Sequence, residues 1–329
     1  MYGYIDQNSK TKEYAEAFFS FNQPKFCPTA AWNPFGITFA NQTTIGEKPR
    51  AIFINTNNTI YVYANRQILV SHEGHINSTK IIPINSSTSH SIFVTTNGDI
   101  YIDNDEVVLK WISNKNTFDT AMKGISQCYG LFVDINDTLH CSMRNLHQVV
   151  KRWMSDSVLT PTIVAGTNRS GSALNELDTP HGIFVDVNFD LYVADCGNDR
   201  VQLFQLGQSI GITVAGNGSP NPTILLSCPT GIVLDAQKYL FIVDSWNDRI
   251  VGSGPNGFRC LVGCHGLDSQ SHQLSFPFSL SFDRSGNMFV TDMNNDRIQK
   301  YLLKKSCVMF QGGDMKIWLR GKFGSERVQ

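Results

Sequence analysis

Short apolar runs of β-branched and aromatic residues alternate with clusters of Asn, Asp and Gly along most of this chain. The pattern is clearest in residues 180–204, PHGIFVDVNFDLYVADCGNDRVQLF, where apolar runs at 182–185, 191–194 and 201–204 are split by two polar turns. Runs of this kind predict strands joined by hairpin turns. Residues 229–252 and 277–301 repeat the unit in nearly the same words. Weaker copies open at Pro49, Ser89 and Cys128. The six anchors at 49, 89, 128, 180, 229 and 277 are separated by steps of 40, 39, 52, 49 and 48 residues. Three strands cannot bury their own faces, so the repetition itself must supply the core. Unequal steps count against a solenoid and suit a propeller, whose radial blades tolerate loops of different length.

A fourth strand lies between copies. The runs at 162–166, 212–216 and 260–263 place Ile163, Ile212 and Cys260 each 17 residues before the next anchor, and Ile81-Ile82 and Ala121-Met122 mark weaker equivalents. Nothing comparable follows the sixth copy, because residues 304–329 are polar and Gly-rich. The run at 32–40, ahead of the first copy, supplies the missing strand. The chain therefore predicts an all-β, six-bladed β-propeller of four-stranded blades, closed by an N-terminal strand that removes its edges. The domain boundaries follow: residues 1–31 an extension, partly disordered; 32–303 the propeller; 304–329 a tail.

The pattern P-x-G-I-x-V-D … L-Y-V-A-D-x-x-N-D-R-V/I-Q resembles the NHL-repeat β-propellers. It is strong at Pro180, Pro229 and Pro277, partial at Cys128, and thin at Pro49 and Ser89, where the Asn-Asp-Arg turn is eroded. The resemblance implies a fold and leaves function to the sites built on it.

The 329 residues carry 27 Lys and Arg against 28 Asp and Glu, with no basic run, which argues against a nucleic-acid partner. No apolar stretch approaches membrane-spanning length, and the first residues lack the pattern of a signal peptide. The eight cysteines fit four bridges within the repeat frame. Cys27–Cys307 would clip the ring at its seam. Cys196–Cys228 would join adjacent blades, and Cys260–Cys264 is local. Cys128–Cys141 shares a hairpin, although simple register puts the pair about three residues out of line. Four bridges point to an oxidising compartment. Seven N-glycosylation signals, at Asn41, Asn57, Asn77, Asn85, Asn136, Asn168 and Asn217, point the same way. The expected location is extracellular, as a secreted protein or an ectodomain, with a cytoplasmic protein as the alternative.

The Asn-Asp-Arg triples at 198–200, 247–249 and 295–297 read as scaffold: Asn and Asp suit the turns, and each Arg can reach back to Asp195, Asp244 or Asp292. The residue after each anchor does not repeat. Arg50, His90, Tyr129, His181, Thr230 and Phe278 begin the innermost strands and should ring the channel mouth, where a ligand would bind. If the site held a metal, His90 and His181 would be its ligands, but a third ligand is missing from the set; the other histidines share no repeat position. No catalytic residues, metal or cofactor are assigned. The expected function is a monomeric, non-enzymatic module binding a protein or small molecule at the mouth. The family resemblance supplies two alternatives: a metal-dependent enzyme like the peptide-amidating lyase, and a ubiquitin-pathway adaptor of the tripartite-motif NHL type.

Overall fold

The structure, a computed structural model, describes residues 20–72, 80–84, 89–220, 224–264 and 270–304, together with the backbone of 307–311 and 314–318. Strand β1 (Ile37–Ala40) precedes blade 1, which is β2–β5 (Ala51–Ile54, Thr59–Ala64, Gln67–His72, Lys80–Pro83). Blade 2 is β6–β9 (Ile92–Val94, Ile100–Asn104, Val107–Ile112, Thr117–Lys123). Blade 3 is β10–β13 (Cys128–Val133, Thr138–Met143, Gln148–Trp153, Thr162–Gly166). Blade 4 is β14–β17 (Pro180–Val185, Leu191–Asp195, Arg200–Phe204, Ile212–Gly216). Blade 5 is β18–β21 (Pro229–Leu234, Leu240–Asp244, Arg249–Gly254, Gly257–Val262). Blade 6 holds β22–β24 (Pro277–Phe282, Met288–Asp292, Arg297–Tyr301) and takes β1 as its fourth strand, Ile37 opposite Lys300. The ring thus closes as the sequence predicts. The closing strand is shorter than the run at 32–40: Trp32 makes only an isolated bridge to Leu303, and Pro34, which has no N–H, interrupts the ladder. A separate hairpin, β25–β26 (Cys307–Gln311, Asp314–Trp318), lies in the segment read as a tail.

The first strands of the six blades touch one another around the axis. Their approach is closest between blades 3, 4 and 5. A Cβ on Gly130 would stand 2.6 Å from the His181 carbonyl, and one on Gly182 would stand 2.5 Å from that of Thr230. Only glycine admits backbones this close.

The polar turns hold themselves. After β10, β14, β18 and β22, Asp134, Asp186, Asp235 and Asp283 each accept the N–H groups two and four residues on, fixing the first hairpin; Asn55 does the same in blade 1. The Asn-Asp-Arg turns are scaffold, as expected. Arg200, Arg249 and Arg297 donate to Asp195, Asp244 and Asp292 at 2.8, 2.8 and 2.6 Å, and also to carbonyls of the preceding loop. The middle Asp has a separate task. Asp199, Asp248 and Asp296 accept the N–H groups of Cys228, Phe276 and Lys48 at 2.7–2.8 Å, the residues just before the next anchors. Those three residues have positive φ, and the carboxylates hold them there. His147 takes this role in blade 3, with Nδ1 accepting from Thr179 N–H at 3.1 Å. It therefore does occupy a repeat position, hidden in the sequence because imidazole replaces carboxylate.

Residues 20–32 cross the face opposite the channel mouth. Phe21 packs edge-on against Phe93, Phe132 and Phe184, and Phe26 against Trp32, Phe241 and Phe282. Both phenylalanines are buried. Asn22 donates to carbonyls of Asn55 and Phe282, tying the segment to two blades. Residues 1–19 lie outside the described residues.

Three expected bridges are present: Cys128–Cys141, Cys196–Cys228 and Cys260–Cys264. A bulge at Tyr129 corrects the register of the first. Cys128 then faces Met143, two residues from Cys141, so both sulfurs share one face of the sheet. Cys27 is disulfide-bonded; the side chain of Cys307, its expected partner, lies outside the described residues. Disulfides of this kind belong to an oxidising environment. Among the described residues, no helix is long and apolar enough to cross a membrane.

Candidate functional site

The same bulge recurs in blades 3 to 6. Pairing slips after Cys128, Pro180, Pro229 and Pro277, at the position that carries Tyr129, His181, Thr230 and Phe278. An extra residue in one strand re-aims its side chain. The bulges therefore turn the variable residues inward over the channel, which explains why this position escapes the repeat.

The structure brings the six residues together. Arg50 Nη1 lies 2.6 Å from His90 Nε2. The His90 ring stacks on Tyr129 with centroids 3.8 Å apart, and Tyr129 meets His181 edge-on at 4.7 Å. Phe278 approaches all three rings at 6.0–6.4 Å. Thr230 is turned away from a ligand role: its hydroxyl donates to the Phe278 carbonyl at 2.9 Å and bonds Ser245. His90, His181, Thr230 and Phe278 are buried, while Arg50 and Tyr129 are half-buried.

The tautomers of both histidines follow from their partners. Guanidinium can only donate, so His90 Nε2 accepts and the proton sits on Nδ1. That nitrogen faces Asp103 Oδ2 at 3.6 Å. Asp103 is fully buried, and burial pushes its carboxyl above the usual range, opposed by the bonds from His90 and Ser91. His181 donates Nδ1–H to the Thr179 carbonyl at 2.8 Å, which leaves Nε2 as the lone-pair nitrogen. Burial, helped by the nearby charge of Arg144, pushes its pKa down to about 3, so it is neutral at physiological pH.

Beneath these rings lies a central cavity of about 110 Å³. Its walls include Phe53, Phe93, Phe132 and Phe184, and its floor is Phe21. Each of the four wall phenylalanines stands four residues after its anchor, a signal the sequence carries in four of six copies. A second variable position also went unread. The residue after the second strand is Arg144, Cys196, Ser245 or Met293, the first residue of a short 3-10 turn in blades 3 to 6. Arg144 sits over the Tyr129 ring at 5.3 Å.

His90 and His181 do not face a common ion. The Tyr129 ring contacts both, and Arg50 occupies His90 Nε2. His181 does lie within 4.8 Å of the sulfurs of Cys196 and Cys228. Those sulfurs are joined to each other, so neither offers a thiolate.

Fold and site together define a six-bladed β-propeller with a closed channel floor and a basic, aromatic mouth. No family model and no curated protein matches the sequence. Solved structures do match it. A structural genomics protein of unknown function from Bacteroides thetaiotaomicron aligns with TM-score 0.67 and 14% identity, over 84% of this chain and 76% of that one. An auxiliary nutrient binding protein from the same organism aligns with TM-score 0.61 and 13% identity, over 87% and 76%. Virginiamycin B lyase from Staphylococcus aureus aligns with TM-score 0.55 and 13% identity, over 80% and 98%. At these identities the likeness is one of fold.

Proposed function

We propose that this chain is an extracellular, NHL-type propeller that acts as a monomeric binding module and takes a protein segment or small molecule at the channel mouth. The observation that carries the reading is the convergence of Arg50, His90, Tyr129, His181 and Phe278 at the one inner-strand position that does not repeat. Scaffold positions elsewhere in the ring are filled by nearly the same residues from blade to blade; these are not, and in blades 3 to 6 bulges turn them inward.

A secreted setting is supported by the bridges and by the exposure of Asn41, Asn57, Asn136, Asn168 and Asn217. The glycosylation signals at Asn77 and Asn85 lie outside the described residues. The test is a thermal-shift screen of amino acids, short peptides, sugars and small carboxylates against the protein from a secretory host. A ligand present at 100 times its Kd stabilises the fold by about 2.7 kcal/mol. A true mouth ligand loses this effect in Tyr129→Ala and keeps it in Trp246→Ala, a change at an exposed residue of blade 5. A hit equally strong in both variants places binding elsewhere and ends the reading.

A further inference from the structure

Among the described residues, the mouth carries two cations that no carboxylate pairs with. Arg200, Arg249 and Arg297 each pair with a buried aspartate. Arg50 and Arg144 do not: among the described residues neither has a carboxylate within salt-bridge distance. Arg50 meets a histidine and Arg144 a tyrosine ring. Asp103, the acid beside His90, is fully buried on its Nδ1 side. The field is registered by His181, whose protonation the Arg144 charge opposes. Two unpaired guanidinium groups at a half-buried site are poised for an anion, and their planar donors match a carboxylate.

What lies below carries no charged side chain except His90 at its rim. Phenylalanine rings form much of the cavity wall, and two of its hydroxyl oxygens are already engaged. Ser91 Oγ accepts from Leu131 N–H at 2.9 Å and Ser281 Oγ from Ile54 N–H at 3.2 Å. Phenylalanine walls of this kind give an apolar group a place to pack. The volume of about 110 Å³ is below the ~150 Å³ of a cavity known to hold benzene.

Resting on the reading that the mouth is the ligand site, we infer that the ligand is a small carboxylate with a short apolar tail. The carboxylate meets Arg50 and Arg144 at the rim, and the tail passes the Tyr129 ring into the phenylalanine-lined cavity. Tyr129 is the half-exposed member of the aromatic cover and the one whose displacement opens the cavity.

The test uses the whole chain and ligand-observed NMR titrations with acetate, propionate, butyrate, hexanoate, 1-butanol and butylammonium. Affinity should rise about fourfold per methylene from acetate and level off near about four carbons, when the cavity is full. Butyrate should bind about tenfold more tightly than butanol, and butylammonium should not bind. The double variant Arg50→Gln/Arg144→Gln should lose the preference for butyrate over butanol. Because the wild-type comparison of the three four-carbon probes needs no variant, a folding defect cannot mask the answer. Equal binding of butylammonium and butyrate overturns the inference, as does the absence of saturable carboxylate binding. If butanol or butylammonium wins and Tyr129→Ala abolishes its binding, the mouth remains the site and only its charge preference was misread. If butyrate binds but neither Tyr129→Ala nor the arginine variant changes it, the mouth reading itself falls.

Discussion

His181 is kept neutral by its surroundings, and this gives it a pH signature. Its folded pKa of about 3 lies below the ordinary 6.5, so between those values the unfolded chain holds a proton that the folded chain does not. Stability from this group is complete above pH 6.5 and is lost as pH falls through the window, by up to about 1.4 kcal/mol per unit. Urea unfolding at pH 6.5 and pH 5 should show wild type losing about 2 kcal/mol more than His181→Asn, which keeps a donor toward the Thr179 carbonyl. Parallel losses would mean that the imidazole is protonated in the fold. Gly182 poses a purely steric question. Its missing Cβ would lie 2.5 Å from the Thr230 carbonyl, where no flexible side chain can give way. Gly182→Ala should cost about 1–3 kcal/mol through backbone displacement, read as a lower urea midpoint with unchanged slope.

At the scale of elements, the bridges differ in the loops they close. Cys196–Cys228 spans 32 residues, Cys128–Cys141 spans 13 and Cys260–Cys264 spans 4. Chain-entropy reasoning ranks their removal at about 4, 3 and 2 kcal/mol. Paired Cys→Ser variants should unfold in that order in denaturant titrations; a reversed order would show that native packing outweighs loop closure. These elements also show what could be read in advance. Strands, blade count, ring closure and the arginine turns were legible because each reduces to a period or a turn residue. The channel-mouth set was legible for the converse reason, as the position where the period fails. The bulges were not, since an inserted residue such as Tyr129 leaves no mark until the partner strand is known. Arg144 was missed because it hides in a turn that looks like scaffold, and His147 because it performs an aspartate's task. Phe21 belongs to no repeat at all, so no periodic argument could bring it to the channel floor.

At the scale of the molecule, the ring depends on one four-residue strand. Without β1, the outer edge of β24 is left with unpaired N–H and C=O groups, and exposed edges recruit other strands. Deleting residues through 40 also removes Phe21 and Phe26 from the core. The shortened chain should elute from size-exclusion chromatography as larger species than the full chain, and a peptide of residues 20–40 added in trans should return it to the full chain's position. A shortened chain that alone elutes no larger than the full chain would show that β24 is covered by something other than β1.

That seam also sets a schedule for the chain as it is made. Ile37 can find Lys300 only after some 260 intervening residues have left the ribosome, an interval of roughly 13–50 s at ordinary elongation rates of ~5–20 residues per second. Through that interval β1 has no strand to pair with, whereas Phe21 finds Phe93, Phe132 and Phe184 as blades 2 to 4 are completed. The earlier blades can form in sequence, each on the last, but β1, made before every other strand of the ring, is among the last to settle. A nascent ring of this design therefore needs β1 shielded longer than any of its other strands.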